Sequence, residues 1–230
     1  GNLGLIYRTR GELDRAEEMH QNALLIDTEL GNQEGIARHC GNLGTIYGIR
    51  GQLELAEEMF QKTLAIEENL GRQEGMATSY GNLGLIYQKQ DELHRAEEMH
   101  LKALGIEKKL DRQEGMASEY SNLGNVYLRR DEPDRAEETY NKALDIHQKL
   151  GNQVGMAIVY GNLGLLAENR KELEQARSLW TKARDMFATI GMHHMVEEKQ
   201  EWLDDLPKTS AKPTRGSGKR AKNKAKRKKP

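Results

Sequence analysis

The sequence predicts an all-α fold, a solenoid of stacked antiparallel helix pairs, and three observations lead there. A block of 40 residues recurs down the chain: Gly-Asn-Leu-Gly begins at Gly1, Gly41, Gly81 and Gly161, and Ser-Asn-Leu-Gly at Ser121. Self-similarity at a fixed period of this order marks arrays whose units bury their apolar faces only against their neighbours. Apolar residues make up 37% of the chain and charged residues 31%, which suits thin helical layers with much surface. Two Phe and four Pro in 230 residues argue against a β-rich fold.

The third unit shows how each element is built. Leu83, Ile86 and Tyr87 recur at helical spacing as the apolar stripe of a first helix. Gly84 and Ala96 are small and let the two helices of a pair approach to roughly 8–10 Å. Gly51 marks the turn between helices, where a positive φ suits glycine, and Asp91 and Asp131 take its place in later units. The second helix buries Leu93, Ala96, Met99, His100, Ala103, Leu104 and Ile106, and Leu110 closes that face. Gly31, Gly71 and Gly151 follow the closing Leu, where a left-handed C-terminal cap is expected. First helices are thus expected over 1–10, 37–50, 77–90, 117–130 and 157–170.

Towards the end the pattern decays. Ala167 replaces the Tyr, Arg184 replaces an apolar Leu, and Trp180 takes the aromatic slot of the second helix. Residues 192–206, with Met195, Val196, Trp202, Leu203 and Leu206, read as a capping helix that Pro207 ends. Residues 207–230 hold 11 Lys/Arg and no acid, with no aromatic or branched aliphatic side chain, and read as a disordered basic tail. Residues 1–206 then carry 24 basic and 36 acidic side chains. The division is five repeats over 1–191, a cap over 192–206 and a tail over 207–230. Because the chain opens at the Gly-Asn-Leu-Gly step, the first repeat reads as truncated, a fragment cut within a longer array.

Tyr80, Leu83, Gly84, Tyr87, Ala96, His100 and Ala103 follow one spacing, repeated by Tyr120, Leu123, Gly124, Tyr127, Ala136, Tyr140 and Ala143. In this the chain resembles the tetratricopeptide repeat, over residues 1 to about 191. The resemblance implies a right-handed superhelix whose first helices line a concave groove, and a non-catalytic binding scaffold. The usual Pro ending the second helix is missing, with Lys108 in its place, so that helix is expected to run longer and stretch the period to 40.

The Asn before each Leu-Gly (Asn2, Asn42, Asn82, Asn122 and Asn162) lies off the apolar stripe and is expected to face the groove. An amide offers both donors and an acceptor, so it can pair with peptide main chain whatever the side chains are. First helices roughly 10 Å apart would address about every third residue of a strand that advances ~3.3 Å per residue. The chain resembles kinesin light chains and the Leu-Gly-Asn-repeat polarity adaptors in this respect, where groove Asn residues hold peptide main chain. A solvated Asn or a local helix contact is the alternative.

Divergent positions on the same helices would set specificity. These are Leu5, Thr45, Leu85, Asn125 and Leu165; Arg38, Thr78, Ser118 and Ile158; and Arg8, Gly48, Gln88, Leu128 and Glu168. The expected first helices hold eight Lys/Arg, Lys89 and Arg129 among them, against two acids. A basic groove suggests an acidic peptide, although Arg10, Arg50, Arg130 and Arg170 also suit the negative ends of their helices. The candidate peptide-binding set is the five Asn residues with Arg38, Thr45, Lys89, Asn125 and Arg129.

Other chemistry is not indicated. His20 and His100 occupy the packing slot of Phe60, Tyr140 and Trp180, and Cys40 the slot of Tyr80, Tyr120 and Tyr160. His193 and His194 are adjacent and cannot share a helix face. The pairs Glu17-Glu18, Glu57-Glu58, Glu97-Glu98 and Glu137-Glu138 read as a solvated face. With no phosphate loop, zinc-ligand spacing or nucleophile–base set, no catalytic residue, metal or cofactor is expected. One cysteine excludes an internal disulfide framework and favours a reducing compartment. No apolar run approaches the ~20 residues of a membrane span, so a cytoplasmic protein without membrane insertion is expected.

The tail carries a separate expectation. Lys219, Arg220, Lys222, Lys224, Lys226, Arg227, Lys228 and Lys229 could neutralise nucleic-acid phosphates, without aromatic residues for base stacking. Docking on the acidic body, tethering, a nuclear signal or solubility are its other readings. Three functions stay open at this point: a scaffold binding a protein or peptide, a nucleic-acid-associated adaptor, and the sensor or assembly arm of a larger signalling protein.

Overall fold

A computed structural model describes residues 2–207. The disorder expected of the tail, and its candidate polyanion-binding residues from Lys219 to Lys229, lie outside the described residues. The fold is a right-handed α-solenoid of eleven helices among the described residues: α1 (Asn2–Thr9), α2 (Leu13–Glu29), α3 (Gln33–Ile49), α4 (Leu53–Asn69), α5 (Gln73–Lys89), α6 (Leu93–Lys109), α7 (Gln113–Arg129), α8 (Pro133–Leu150), α9 (Gln153–Asn169), α10 (Leu173–Thr189) and α11 (His193–Asp205). Consecutive helices pack on one another, most heavily within α3–α4, α5–α6, α7–α8 and α9–α10. No described helix is long and apolar enough to cross a membrane.

The true structural step is 20 residues, half the sequence period. Each helix from α2 to α10 runs about 17 residues and ends in the same link. After α2, Asn32 N–H donates to Asp27 O at 2.8 Å and Gly31 N–H to Thr28 O at 3.1 Å, the paired bonds that close a helix over a left-handed residue. The first of these bonds recurs at all ten junctions, ending with Met192 N–H to Phe187 O at 3.0 Å. The left-handed residue is Gly11, Gly31, Gly51, Gly71, Gly151 or Gly191 in six links, and Asp91, Asp111, Asp131 or Lys171 in the others.

Two expectations need correction. First helices start at Gln33, Gln73, Gln113 and Gln153, four residues earlier than the apolar stripe suggested. Asn32 and Asn152 cap α3 and α9, their side chains accepting from Gly35 N–H (3.2 Å) and Gly155 N–H (2.8 Å). Leu30, Leu70 and Leu150 are exposed and Leu110 only half-buried, so they close nothing; they stand where the chain leaves its helix.

Glycine sets the helix spacing in two places per repeat. A Cβ on Gly84 would stand 2.5 Å from His100, and Cβ atoms on Gly44, Gly124 and Gly164 would run into Phe60, Tyr140 and Trp180. Between repeats, Gly35, Gly75, Gly115 and Gly155 lie directly beneath Asp27, Glu67, Glu107 and His147. Glu67 and Glu107 are therefore almost fully buried, each with an Arg nitrogen nearby: Arg72 Nε at 3.3 Å and Arg112 Nε at 3.4 Å. Burial pushes the Glu107 carboxyl up, with Arg112 pulling the other way.

The Glu pairs are also not a uniformly solvated face. Their first members accept from the Tyr of the next first helix: Glu17 from Tyr47 at 3.0 Å, Glu57 from Tyr87 at 2.8 Å and Glu97 from Tyr127 at 2.9 Å. Arg50, Arg130 and Arg170 pair with Glu17, Glu97 and Glu137 across the same junctions. Burial, and the Glu97 carboxylate beside it, push the Tyr127 hydroxyl up to about 12. The second members, Glu18, Glu58, Glu98 and Glu138, are exposed, with Glu98 and Glu138 paired to Lys102 and Lys142 one turn on. In the last hairpin Arg177 stands at the Glu position and points to the Leu203 and Pro207 carbonyls, joining α10 to α11. Trp180 is buried there, with Trp202 of α11 5.3 Å away between ring centres.

Candidate functional site

First helices α3, α5, α7 and α9 lie side by side, and the furrow between α3 and α5 holds a cleft of about 370 Å³. Its floor is apolar: Phe60 rises from α4 through the notch at Gly44, beside Ile86. Thr45, Ile49, Asn82, Leu85 and Lys89 form the walls, and Arg129 reaches in from α7. A second hollow of about 280 Å³ continues towards the helix N-termini, lined by Arg38, Asn42, Thr63, Glu67, Thr78 and Ser79. The two share Thr45, Phe60 and Asn82 and form one channel.

Of the ten candidate peptide-binding residues, Thr45, Asn82, Lys89 and Arg129 therefore meet at one cleft, and Arg38 and Asn42 line its extension. Asn122, Asn125 and Asn162 line neither hollow. The side chain of Asn2 lies outside what the structure describes, although its backbone belongs to α1. Asn42 donates to its own helix at Arg38 O (3.0 Å), the local contact that was the alternative for this position. Asn82, Asn122 and Asn162 are half-buried and make no side-chain hydrogen bond to the other described residues. Asn125 has a core role, accepting from the Tyr140 hydroxyl at 2.7 Å.

The expected surplus of positive charge is smaller in the structure. The earlier helix starts bring Glu34, Glu74 and Glu114 onto α3, α5 and α7. Lys89 Nζ donates to Gly48 O at 2.7 Å, and Arg129 to Gln88 O at 2.5 Å and Asp91 at 2.7 Å. Each cation thus satisfies a carbonyl at the end of the preceding first helix, where the macrodipole is negative. With Arg50, Arg130 and Arg170 bound to acids, the groove is not a uniformly basic wall.

Sequence reasoning missed Ile49 and Glu67. Ile49 is 58% exposed at a position held elsewhere by Thr9, Lys89, Arg129 and Asn169, so its apolarity was the available signal. Glu67 sits on a second helix and reaches the furrow only because Gly75 leaves it room.

The histidine slots hold core residues. His20 and His39 meet Nδ1 to Nδ1 at 3.1 Å, both buried, with Asp27 3.3 Å from His39 Nε2. Burial, then the neighbouring ring, lowers His20 to about 4; burial and Arg38 lower His39 against the pull of Asp27. With both rings neutral, one Nδ1 donates and the other accepts, and His20 Nε2 is left without a hydrogen-bond partner. His100 is gripped on both sides, by Gln88 at 2.9 Å and Glu119 at 2.7 Å. Among the described residues no group of three His, Cys, Asp or Glu side chains is placed to hold a metal.

The tetratricopeptide repeat profile matches in four overlapping windows, 1–69, 37–109, 75–149 and 115–189. No curated protein matches the chain. Among solved structures it is similar to BtubC (BKLC) from P. vanneervenii, with 25% identity over 82% of this chain and 78% of that one, at a TM-score of 0.72. It is also similar to a putative kinesin light chain from Podosopora anserina with nearly identical TPR-like repeats, at 18% identity, 83% and 94% coverage and a TM-score of 0.68. A third similar structure is a signal transduction ATPase with numerous domains and a tetratricopeptide repeat sensor from Pyrococcus horikoshii. That match has 20% identity, 88% coverage of this chain but 31% of the other, and a TM-score of 0.77. The chain belongs to the tetratricopeptide repeat family, whose members are generally non-catalytic scaffolds that bind protein partners.

Proposed function

We propose that this protein is a non-catalytic interaction scaffold that holds an extended segment of a partner protein on its first helices, at the cleft between α3 and α5. The observation that carries the reading is convergence. Four residues singled out for ligand contact, Thr45, Asn82, Lys89 and Arg129, surround one cleft over an apolar floor. Asn82 has its amide unpaired there, as a group serving a ligand's main chain would. Leu85 and Ile49, exposed beside it, supply apolar contact area. Pockets of this kind, mostly apolar with a few placed polar groups, are what selective recognition uses. Because most groove cations already have partners, the ligand is not acidic along its whole length.

The test is selection from a library of random peptides displayed on phage. Winning peptides, labelled and measured by fluorescence anisotropy, are expected to bind Leu85→Glu at least ~10-fold more weakly and Asn82→Ala several-fold more weakly, a loss of roughly 1–1.4 kcal/mol. Helicity by circular dichroism should not change. Affinity indifferent to both substitutions, with helicity intact, overturns the reading.

A further inference from the structure

The Asn ladder suggested a ligand crossing the array from repeat to repeat, but the open space lies the other way. The channel follows α3 from Arg38 to Ile49, lengthwise between α3 and α5. Two small residues open it. Gly48 leaves the C-terminal half clear, and buried Ser79 leaves space beside Phe60 in the N-terminal half. In the next furrow, between α5 and α7, the same two positions are Gln88 and Glu119, and both are bonded to His100. Between α7 and α9 they are Leu128 and Val159, and between α1 and α3 they are Arg8 and His39. The repeats are near-copies, so the small residues at these two positions help to set the α3–α5 furrow apart, together with Phe60 in the slot of His100 and Tyr140.

The furrow also carries charged groups at both ends and an apolar middle. Glu67 faces the N-terminal hollow, 6% exposed, with Oε2 lacking a hydrogen-bond partner although Arg72 Nε lies 3.3 Å away. Arg38 stands on the rim of this hollow with its side chain 61% exposed. Lys89 and Arg129 mark the opposite end, and Phe60, Leu85 and Ile86 the middle.

We infer that the partner segment lies lengthwise in the α3–α5 furrow: about five extended residues at ~3.3 Å each, filling roughly 16 Å of helix length. A carboxylate of the segment sits by Lys89 and Arg129, an apolar side chain covers Phe60 and Leu85, and a Lys, Arg or other donor points to Glu67. An extended segment fits better than a helix, because a helix satisfies its own backbone and would leave the amide of Asn82 idle. This rests on the scaffold reading above and adds direction and charge order to it.

The test uses the display-selected peptide as the probe, with substitutions along and across the furrow. Gly48→Leu copies Leu128; its Cβ would press on the flexible end of Ile86 (Cδ1 at 3.3 Å) and touch Ala56 Cβ at 3.9 Å, so its binding is read only with the circular dichroism spectrum and melting point of the parent retained. Gly48→Leu is expected to weaken binding about tenfold and Glu67→Gln about fivefold, while Asn122→Ala and Asn162→Ala change it less than about twofold. Selected peptides should carry a Lys or Arg and an acid on opposite sides of an apolar residue. Losses at Asn122→Ala and Asn162→Ala equal to that at Gly48→Leu would mean the ligand crosses the array, overturning the lengthwise placement and leaving the scaffold reading intact. Unchanged affinity in Glu67→Gln, or uniformly acidic winners, overturns the charge order. Indifference to every substitution places the ligand outside the groove and overturns both readings.

Discussion

Gly84 and Gly105 stand on neighbouring helices with opposite requirements. Gly84 faces the His100 imidazole, and a methyl group there would lie 2.5 Å from the ring. Gln88 and Glu119 hold that ring from two sides, so it cannot swing away. Overpacking of this kind costs ~1–3 kcal/mol, against a gain of about 1 kcal/mol from replacing a helical glycine by alanine. Gly84→Ala should therefore be destabilising, by up to ~2 kcal/mol on those figures. Gly105 has nothing within 4 Å of its added Cβ, and Gly105→Ala should be stabilising by ~0.5–1 kcal/mol. Thermal melts followed by circular dichroism should move in opposite directions for the two variants. If Gly84→Ala melts as high as the parent, close helix approach is not the reason for glycine in Leu-Gly.

At the scale of the element, the link after each helix is the unit that repeats, and its left-handed residue is the one replaceable part. Lys171 adopts φ 62° there, where a Cβ is unfavourable. Its side chain is exposed, so Lys171→Gly should stabilise the α9–α10 link by about 1 kcal/mol. Gly151→Lys, the reverse change at φ 66°, should lose a similar amount, both read from urea midpoints. Equal midpoints for Lys171→Gly and the parent would show that the link tolerates a Cβ freely. Most of these links were legible in sequence, because Gly or Asp recurs at constant spacing after a Leu, Arg or Gln; Lys171 broke that pattern. The helix starts were not: Gln33 to Gly35 and their counterparts carry no apolar stripe, and the chain enters α3 through an Asn cap and a glycine that only a tertiary contact explains. The candidate site was legible as first-helix residues of three kinds, the recurrent Asn82, the divergent Thr45 and the cations Lys89 and Arg129. Its direction was hidden, since it depends on side chains that are small at Gly48 and Ser79 and on Glu67 reaching through from another helix.

At the scale of the molecule, an array in which each repeat touches mainly its neighbours has a stability close to a sum over junctions, and its junctions can fail separately. The α2–α3 junction buries His20 and His39 as neutral rings, and α8–α9 buries His147, also lowered by burial. A histidine depressed in the fold binds its proton more readily when unfolded. Its contribution is therefore complete above the unfolded value of 6.5 and is lost as pH falls towards the folded value, about 4 for His20. That shift limits the loss to roughly 3 kcal/mol. Acid-sensitive carboxylates act in a lower window. Against the opposing effect of burial, bonds from Tyr87, Arg95 and Gln90 hold Glu57 low, and those from Tyr127, Arg135 and Arg130 hold Glu97 low. Their support is present above the ordinary 4.5 and is lost only as pH falls through the folded values. Between pH 6.5 and about 5 the array should thus loosen at α1–α3, and less at α8–α9, while α4–α7 stays closed. Hydrogen exchange read by mass spectrometry, corrected for intrinsic rates, resolves these segments. His20→Phe with His39→Ser copies the Phe60–Ser79 pair into the first junction and should abolish the α1–α3 step. Uniform loss of protection along the array, unchanged in that double variant, would mean that the molecule opens as one cooperative body and that the buried imidazoles do not set its acid limit.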